Sequence, residues 1–433
     1  MTETAEVFLW GRRIGAVLLE DSAGGAVYQY DPVFVGSGIQ VAPLRMPLRR
    51  EPFVFPGLSQ ETFRGLPGLL ADSLPDRFGS AVLNAWLSRQ GREIDSVSSI
   101  ERLCYTGSRG MGALEFLPSK GPNRGPDEEI QIGRLVELAS AILAERDGFE
   151  TSLKDGQEEQ ALLDIISVGA SAGGARAKAV IAIDPRTGEV RSGQIDPGPG
   201  FEHWLLKFDG VRDRARLEDS QGYGAIEFAY SRMARDAGLA MSDCELLEEN
   251  GRRHFMTRRF DRPGGDKLHM QSLGAMAHFD FNQPGAYSYE QALQVMRQLG
   301  LPSSAVEEQF RRMVFNVIAR NQDDHVKNIA FLMDREGVWS LSPAFDVTYS
   351  YRPSGGPTAQ HQMTINGKGD EFSFDDLESC AAVAALRRGR AASIADRVLQ
   401  AVARWPSYAA EARVPDEDIA RIGRTHRLNL KPR

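Results

Sequence analysis

The chain has 433 residues, 42% of them hydrophobic and 25% charged, which suits a soluble globular protein with room for two or three cored domains. No apolar run approaches the roughly 18 residues that a membrane crossing needs, and the acidic start Met1-Thr2-Glu3-Thr4-Ala5-Glu6 lacks the basic-then-apolar profile of a secretory signal. Three well-separated cysteines (Cys104, Cys244, Cys380) make neither a disulfide framework nor a zinc site, so a cytoplasmic protein with reduced thiols is expected.

The net charge of −8 is unevenly spread. Residues 1–125 balance at 13 basic and 13 acidic side chains, residues 126–386 hold 27 against 41, and residues 387–433 hold 11 against 5. An acidic body argues against broad electrostatic binding of nucleic acid by this chain alone. The basic tail reads as a solvated helix with Arg outside, or as a contact for phosphates or an acidic partner.

In chain order, short alternating strands come first: Val7-Phe8-Leu9-Trp10, Arg13 to Leu18 and Ala26 to Tyr30. A helix is predicted around Gly79 to Gln90. The Pro/Gly-rich run Pro118 to Pro126 reads as a domain boundary. Residues 129–147 follow as an amphipathic helix, with Ile130, Leu135, Leu138, Ile142 and Leu143 near helical spacing. Strands return with Ala179 to Ile183 and Trp204 to Phe208, separated by a long turn at Asp196 to Gly200. A helix from about Ala225 to Ala237 comes next, and after residue 263 the chain is mostly helical. Strand-rich then helix-rich is the order of the two lobes of a protein kinase, whose nucleotide lies between them. The fold class expected is α+β: a bilobal kinase-like fold with an N-terminal β-rich subdomain. Its segments are 1–125 (N-terminal subdomain), 126–262 (small lobe) and 263–433 (helical lobe).

The most informative stretch lies in the third segment. Phe310, Met313, Val314, Val317 and Ile318 form one buried helical stripe, and the helix ends near Asn321. Asp323 and Asn328 then have the D-x-x-x-x-N spacing of a kinase catalytic loop, in which the Asp receives the proton of the attacking hydroxyl and the Asn holds magnesium. Ile329 to Met333 and Val338 to Leu341 form a hairpin about Asp334-Arg335-Glu336-Gly337. That hairpin returns the chain to Phe345-Asp346-Val347, where Asp346 stands as the second metal-binding carboxylate. The usual H-R-D and D-F-G letters are absent. His325 and Lys327 either contact phosphate or stabilise this loop.

Upstream, Ser167 to Lys178 is rich in small residues whose N–H groups can approach an anion, with Arg176 and Lys178 adding charge. It matches no standard phosphate-loop motif, and alone it could be merely flexible. Lys207 closes an apolar strand and needs a partner. Nucleotide phosphates would serve, together with Glu227, unless that residue faces solvent. Arg258-Arg259-Phe260-Asp261-Arg262 is either a hinge, with adenine against Phe260, or a solvated strand end.

Several motifs in order resemble the HipA-type toxins, serine/threonine kinases of bacterial type II toxin–antitoxin modules. Ser171-Ala172-Gly173-Gly174-Ala175-Arg176-Ala177-Lys178 is similar to the family's S-x-G-G-x-R-P-K loop, with Ala177 where Pro is common. Asp323-Asp324-His325-Val326-Lys327-Asn328 and Pro343-Ala344-Phe345-Asp346-Val347 resemble its catalytic and metal motifs, and Met256 to Arg262 its hinge. Leu74-Pro75-Asp76-Arg77-Phe78-Gly79 and Gly110-Met111-Gly112-Ala113-Leu114 look like its N-terminal signatures.

The resemblance implies ATP and Mg2+ as cofactors, a protein substrate in translation, and self-phosphorylation of a loop serine, most simply Ser171 and otherwise Ser167. It also implies a small helix-turn-helix antitoxin partner, with operator DNA bound mainly through that partner and no membrane involved. On this reading Asp323 is the catalytic base, and Asn328 and Asp346 bind the metal. The nucleotide meets Gly173, Gly174, Ala175, Arg176, Ala177, Lys178, Lys207, Arg258, Arg259, Phe260, His325, Val326, Lys327, Asn328, Phe345 and Asp346. The rivals are a small-molecule kinase of aminoglycoside-phosphotransferase type, a catalytically silent co-repressor subunit and, more distantly, a metal-dependent phosphohydrolase.

Overall fold

The computed structural model describes residues 4–20, 24–121, 129–144, 163–169, 176–211 and 222–431. Its first sheet is antiparallel, in the order β3-β2-β1-β4, from β1 (Thr4–Leu9), β2 (Arg12–Glu20), β3 (Gly25–Tyr30) and β4 (Leu114–Leu117). Period-two burial explains β1: Ala5, Val7 and Leu9 face a core that also holds Tyr28, Tyr30 and Phe34. The three predicted strands fall within or beside these elements. Helix α1 (Arg77–Arg89) starts two residues before its expected position, because the Asp76 side chain caps it by accepting the Gly79 N–H at 2.7 Å.

The second sheet has the order β6-β5-β7-β9-β8, again antiparallel. Its strands are β5 (Lys178–Ile183), β6 (Val190–Ser192), β7 (Glu202–Lys207), β8 (Cys244–Glu249) and β9 (Arg252–Arg258). The expected turn at 196–200 connects β6 to β7. One face packs on α2 (Ile132–Ala144) and on Phe78 and Val82 of α1, in a core with Ala179, Ile181, Trp204 and Leu206. Helix α3 (Tyr223–Asp236) runs beside β9, and Gly224 permits the approach: a Cβ there would collide with the Arg253 carbonyl oxygen.

The rest is mainly helical, with α4 (Tyr289–Gln298), α5 (Ser303–Ile318), α6 (Arg390–Ala403) and α7 (Trp405–Glu411) sharing one apolar core with α3. A small sheet of β10 (His269–Ser272), β11 (Ala330–Met333) and β12 (Trp339–Leu341) contains the expected hairpin. Asp334 closes its turn by accepting the Glu336 and Val338 N–H groups at 2.9 Å each. A β-rich sheet, a five-stranded lobe and a helical lobe together form the kinase-like bilobal α+β fold. Cys104, Cys244 and Cys380 are free thiols. Among the described residues no helix is long and apolar enough to cross a membrane.

Candidate active site

Helix α5 delivers the loop 321–328. Phe310, Met313, Val314, Val317 and Ile318 are all fully buried, so the helix is a fixed support. Asn321 and Ser350 form a parallel bridge beyond it, and Asn321 Nδ2 bonds Asn316 Oδ1 at 2.9 Å.

Asp324 anchors the loop from inside. Its carboxylate accepts hydrogen bonds from Tyr289 Oη at 2.7 Å and the Gln362 N–H at 2.8 Å, and lies 2.7 Å from His361 Nδ1. Burial alone would raise this carboxyl; His361, Tyr289 and Gln362 instead hold it below the ordinary range. With Asp324 pulled inward, neighbouring Asp323 is half-buried, and among the described residues no hydrogen bond reaches its carboxylate. Asn328 Nδ2 donates to the Asp323 carbonyl at 2.8 Å, so the oxygen is the atom of that amide left to face a cation.

Lys207, at the end of β7, lies 2.6 Å from Glu227 Oε1 of α3 and also pairs with Asp346 Oδ1. Burial opposes its charge, but Asp346 and Glu227 raise it above the ordinary lysine value. Burial likewise opposes ionisation of Asp346, and Lys207 with Lys178 overcomes that and lowers it. Asp346 sits at φ 52°, a left-handed conformation that costs a non-glycine residue about 1–3 kcal/mol and concentrates at functional sites. Asn321, His325, Asn328 and Phe345 line one cavity between α5 and these loops, and the Asn321 Oδ1 and His325 Nδ1 atoms there are buried without hydrogen-bond partners among the described residues. Asn oxygens beside such a cavity are hard donors of the kind that magnesium takes. Among the described residues no group of three or more His, Cys, Asp or Glu side chains is arranged to hold a metal.

Other predicted residues fall less simply. Gly173, Gly174, Ala175 and Ser171 lie outside the described residues. Arg176 lies over the Tyr223 ring, and Ala177 is buried, accepting the Phe208 N–H at 3.0 Å. Lys178, expected in a loop, instead opens β5 with its side chain only 2% exposed, 3.2 Å from Asp76. Lys327 lies over the Phe281 ring at 4.8 Å.

The Val326 side chain belongs to the helical core, and its carbonyl accepts the Gly274 N–H. Arg259 is not a solvated strand end: its side chain is buried. Its guanidinium bonds Asp261 at 2.9 and 2.7 Å, while Arg262 reaches the same carboxylate at 2.8 Å. The Gly112 N–H donates to Asp261 as well, so this run is a buried clasp to the first sheet's segment. Arg258 pairs with Glu202 at the surface, and Phe260 packs on Phe345 with ring centres 5.7 Å apart. The sequence reading missed two groups: Asp76, and the Tyr289, His361 and Gln362 clamp. The sequence carried no signal for Asp76, since only the packing of α1 beneath β5 brings it to Lys178.

Comparison with known proteins agrees with this architecture. The HipA-like C-terminal domain matches residues 170–405, more than half of the chain, and the HipA N-terminal domain matches residues 5–117. The kinase-named protein Y4mE of Sinorhizobium fredii is 23% identical over 425 residues, covering 91% of this chain and 90% of that protein. A second kinase-named protein of the same organism, Y4dM, is 28% identical over 186 residues, 39% of this chain and 45% of its own. A solved complex of Shewanella oneidensis HipA, HipB and operator DNA superposes with a TM-score of 0.63 at 17% identity, covering 97% of this chain and 94% of that one.

Proposed function

The chain belongs to the HipA family, and on that premise we propose that it is an ATP- and Mg2+-dependent serine/threonine protein kinase, the toxin of a toxin–antitoxin pair. The observation that carries this reading is Lys207 bridging Glu227 and Asp346 beside the loop of Asp323 and Asn328. Phosphoryl transfer asks a protein mainly to align a hydroxyl with phosphorus and to neutralise charge. Asp323 would take the hydroxyl proton. Asn328 and Asp346 would hold magnesium, which neutralises the phosphates when bound. Lys207 and Lys178, with the 173–177 segment, would hold the phosphates, and Phe260 and Phe345 would offer an apolar rest for adenine. The segments 1–125, 126–262 and 263–433 serve as N-terminal subdomain, small lobe and helical lobe.

Self-phosphorylation falls to Ser171 rather than Ser167. Ser167 is 4% exposed, its hydroxyl donates to the Asp164 carbonyl and its own carbonyl accepts from Ser192, so a phosphoryl group there would break a buried network. At Ser171 it would add nearly two negative charges to the segment proposed to hold the phosphates and oppose nucleotide binding. A HipB-like helix-turn-helix partner is supported by the composition of the Shewanella complex, and DNA contact through that partner fits the acidic body. Incubation of the purified chain with γ-labelled ATP, followed by peptide mapping, tests this. Label on Ser171 and on added protein supports it; transfer to small hydroxyl compounds only, or no turnover, refutes it.

A further inference from the structure

Lys178 and Lys207 are direct register partners across β5 and β7. Opposed residues of an antiparallel pair have Cβ atoms roughly 5 Å apart, and like charges there repel. Each needs its own counter-charge. Lys207 has Glu227 and Asp346. Lys178 has Asp76, from the Leu74-Pro75-Asp76-Arg77-Phe78-Gly79 segment at the start of α1, with side-chain exposures of 2% and 4%.

The geometry of Asp76 is fixed twice. Its Oδ1 is held by the Gly79 N–H as the cap of α1, leaving Oδ2 toward Lys178. Helix α1 is in turn packed through Phe78 and Val82 into the core beneath β5 and β7. Burial raises the Asp76 carboxyl, and the positive charges of Lys178 and, more weakly, Lys327 of the catalytic loop offset part of that rise. Asp76 therefore stands among the charges of the active site although the residues matched by the HipA N-terminal domain supply it.

We propose that Asp76 is a positioning residue for nucleotide binding: it holds the Lys178 ammonium in place beside Lys207, so that the phosphate site is incomplete without the N-terminal domain. This rests on the kinase reading above. Phosphates arriving at Lys178 would find an ammonium already oriented, which removes an ordering cost from binding.

The test is the affinity of the full chain for a non-hydrolysable ATP analogue with Mg2+, measured by calorimetry. Asp76→Asn keeps shape and helix cap and removes only charge; Asp76→Ser keeps a capping oxygen and serves if the first variant folds poorly. Either variant should bind roughly tenfold more weakly, about the effect of one oriented ion pair, while kcat at saturating ATP changes less than twofold. Lys178→Met should weaken binding, and Asp76→Asn added to it should weaken it no further. Wild-type affinity in the Asp76 variants, or effects that multiply in the double variant, would overturn the inference alone. Absence of nucleotide binding by the wild-type chain would overturn the kinase reading beneath it.

Discussion

The Gln322 N–H donates to the Ser350 carbonyl at 3.0 Å, and the Ser350 N–H returns a bond to the Arg320 carbonyl at 3.0 Å. These two bonds join the start of the loop bearing Asp323 to the end of the loop bearing Asp346. Asp323 and Asp346 are thus placed by backbone, and side chains need only complete the arrangement.

Asp324 serves that frame, so Asp324→Asn should uncouple the loop without touching substrate. Loss of the carboxylate that accepts from buried Tyr289 and lies against His361 is expected to lower stability by about 1–3 kcal/mol. A shifted Asp323 should lower kcat by about a hundredfold. Urea unfolding and initial rates check both; unchanged kcat would show that Asp324 does not hold the loop.

Lys207→Met should destabilise the fold as well as weaken nucleotide binding. It leaves Glu227, only 3% exposed, and Asp346 without the ammonium that joins them, a situation that costs about 3–5 kcal/mol. Adding Glu227→Gln should recover part of that loss in a denaturant titration. A Lys207→Met protein as stable as the wild type would contradict the geometry.

Asp261→Asn should be among the most damaging changes outside the 321–328 loop. The carboxylate is fully buried between Arg259 and Arg262, whose side chains are 1% and 5% exposed. Removing its charge leaves two buried guanidinium groups and costs about 3–5 kcal/mol. Limited proteolysis should then cut between the first sheet's segment and the rest.

Stability should fall on acidification before carboxylates matter. Burial lowers His269 and His426 from 6.5 to about 4, so the unfolded chain binds protons that the folded chain refuses between those values. The contribution is full above pH 6.5 and lost as pH falls to about 4, at up to ~3 kcal/mol for each histidine. Urea midpoints at a series of pH values should trace this limb, and His269→Phe should flatten it.

What the sequence made legible was local. The spacing of Asp323 and Asn328, the helical stripe before them and the hairpin after them depend on neighbours within a few turns, and the structure has them in place. Lys207 was legible because a lysine in an apolar strand must be compensated, and Glu227 is where a following helix puts one. Asp76 was not legible as a site residue, since only tertiary packing brings α1 beneath β5. The placements of Val326 and Arg259 were not legible for a related reason: motif membership does not tell which way a side chain faces. Val326 turns into the core, and Arg259 is consumed by Asp261 two residues away.

The central claim is phosphoryl transfer at Asp323, and one comparison tests it most directly: release and transfer of labelled γ-phosphate from Mg2+–ATP by wild type and Asp323→Ala at matched thermal stability. The account predicts turnover by the wild type and a loss of at least about a hundredfold in the variant, the usual contribution of a positioned base. Equal turnover by the two proteins, with both folded, would contradict it.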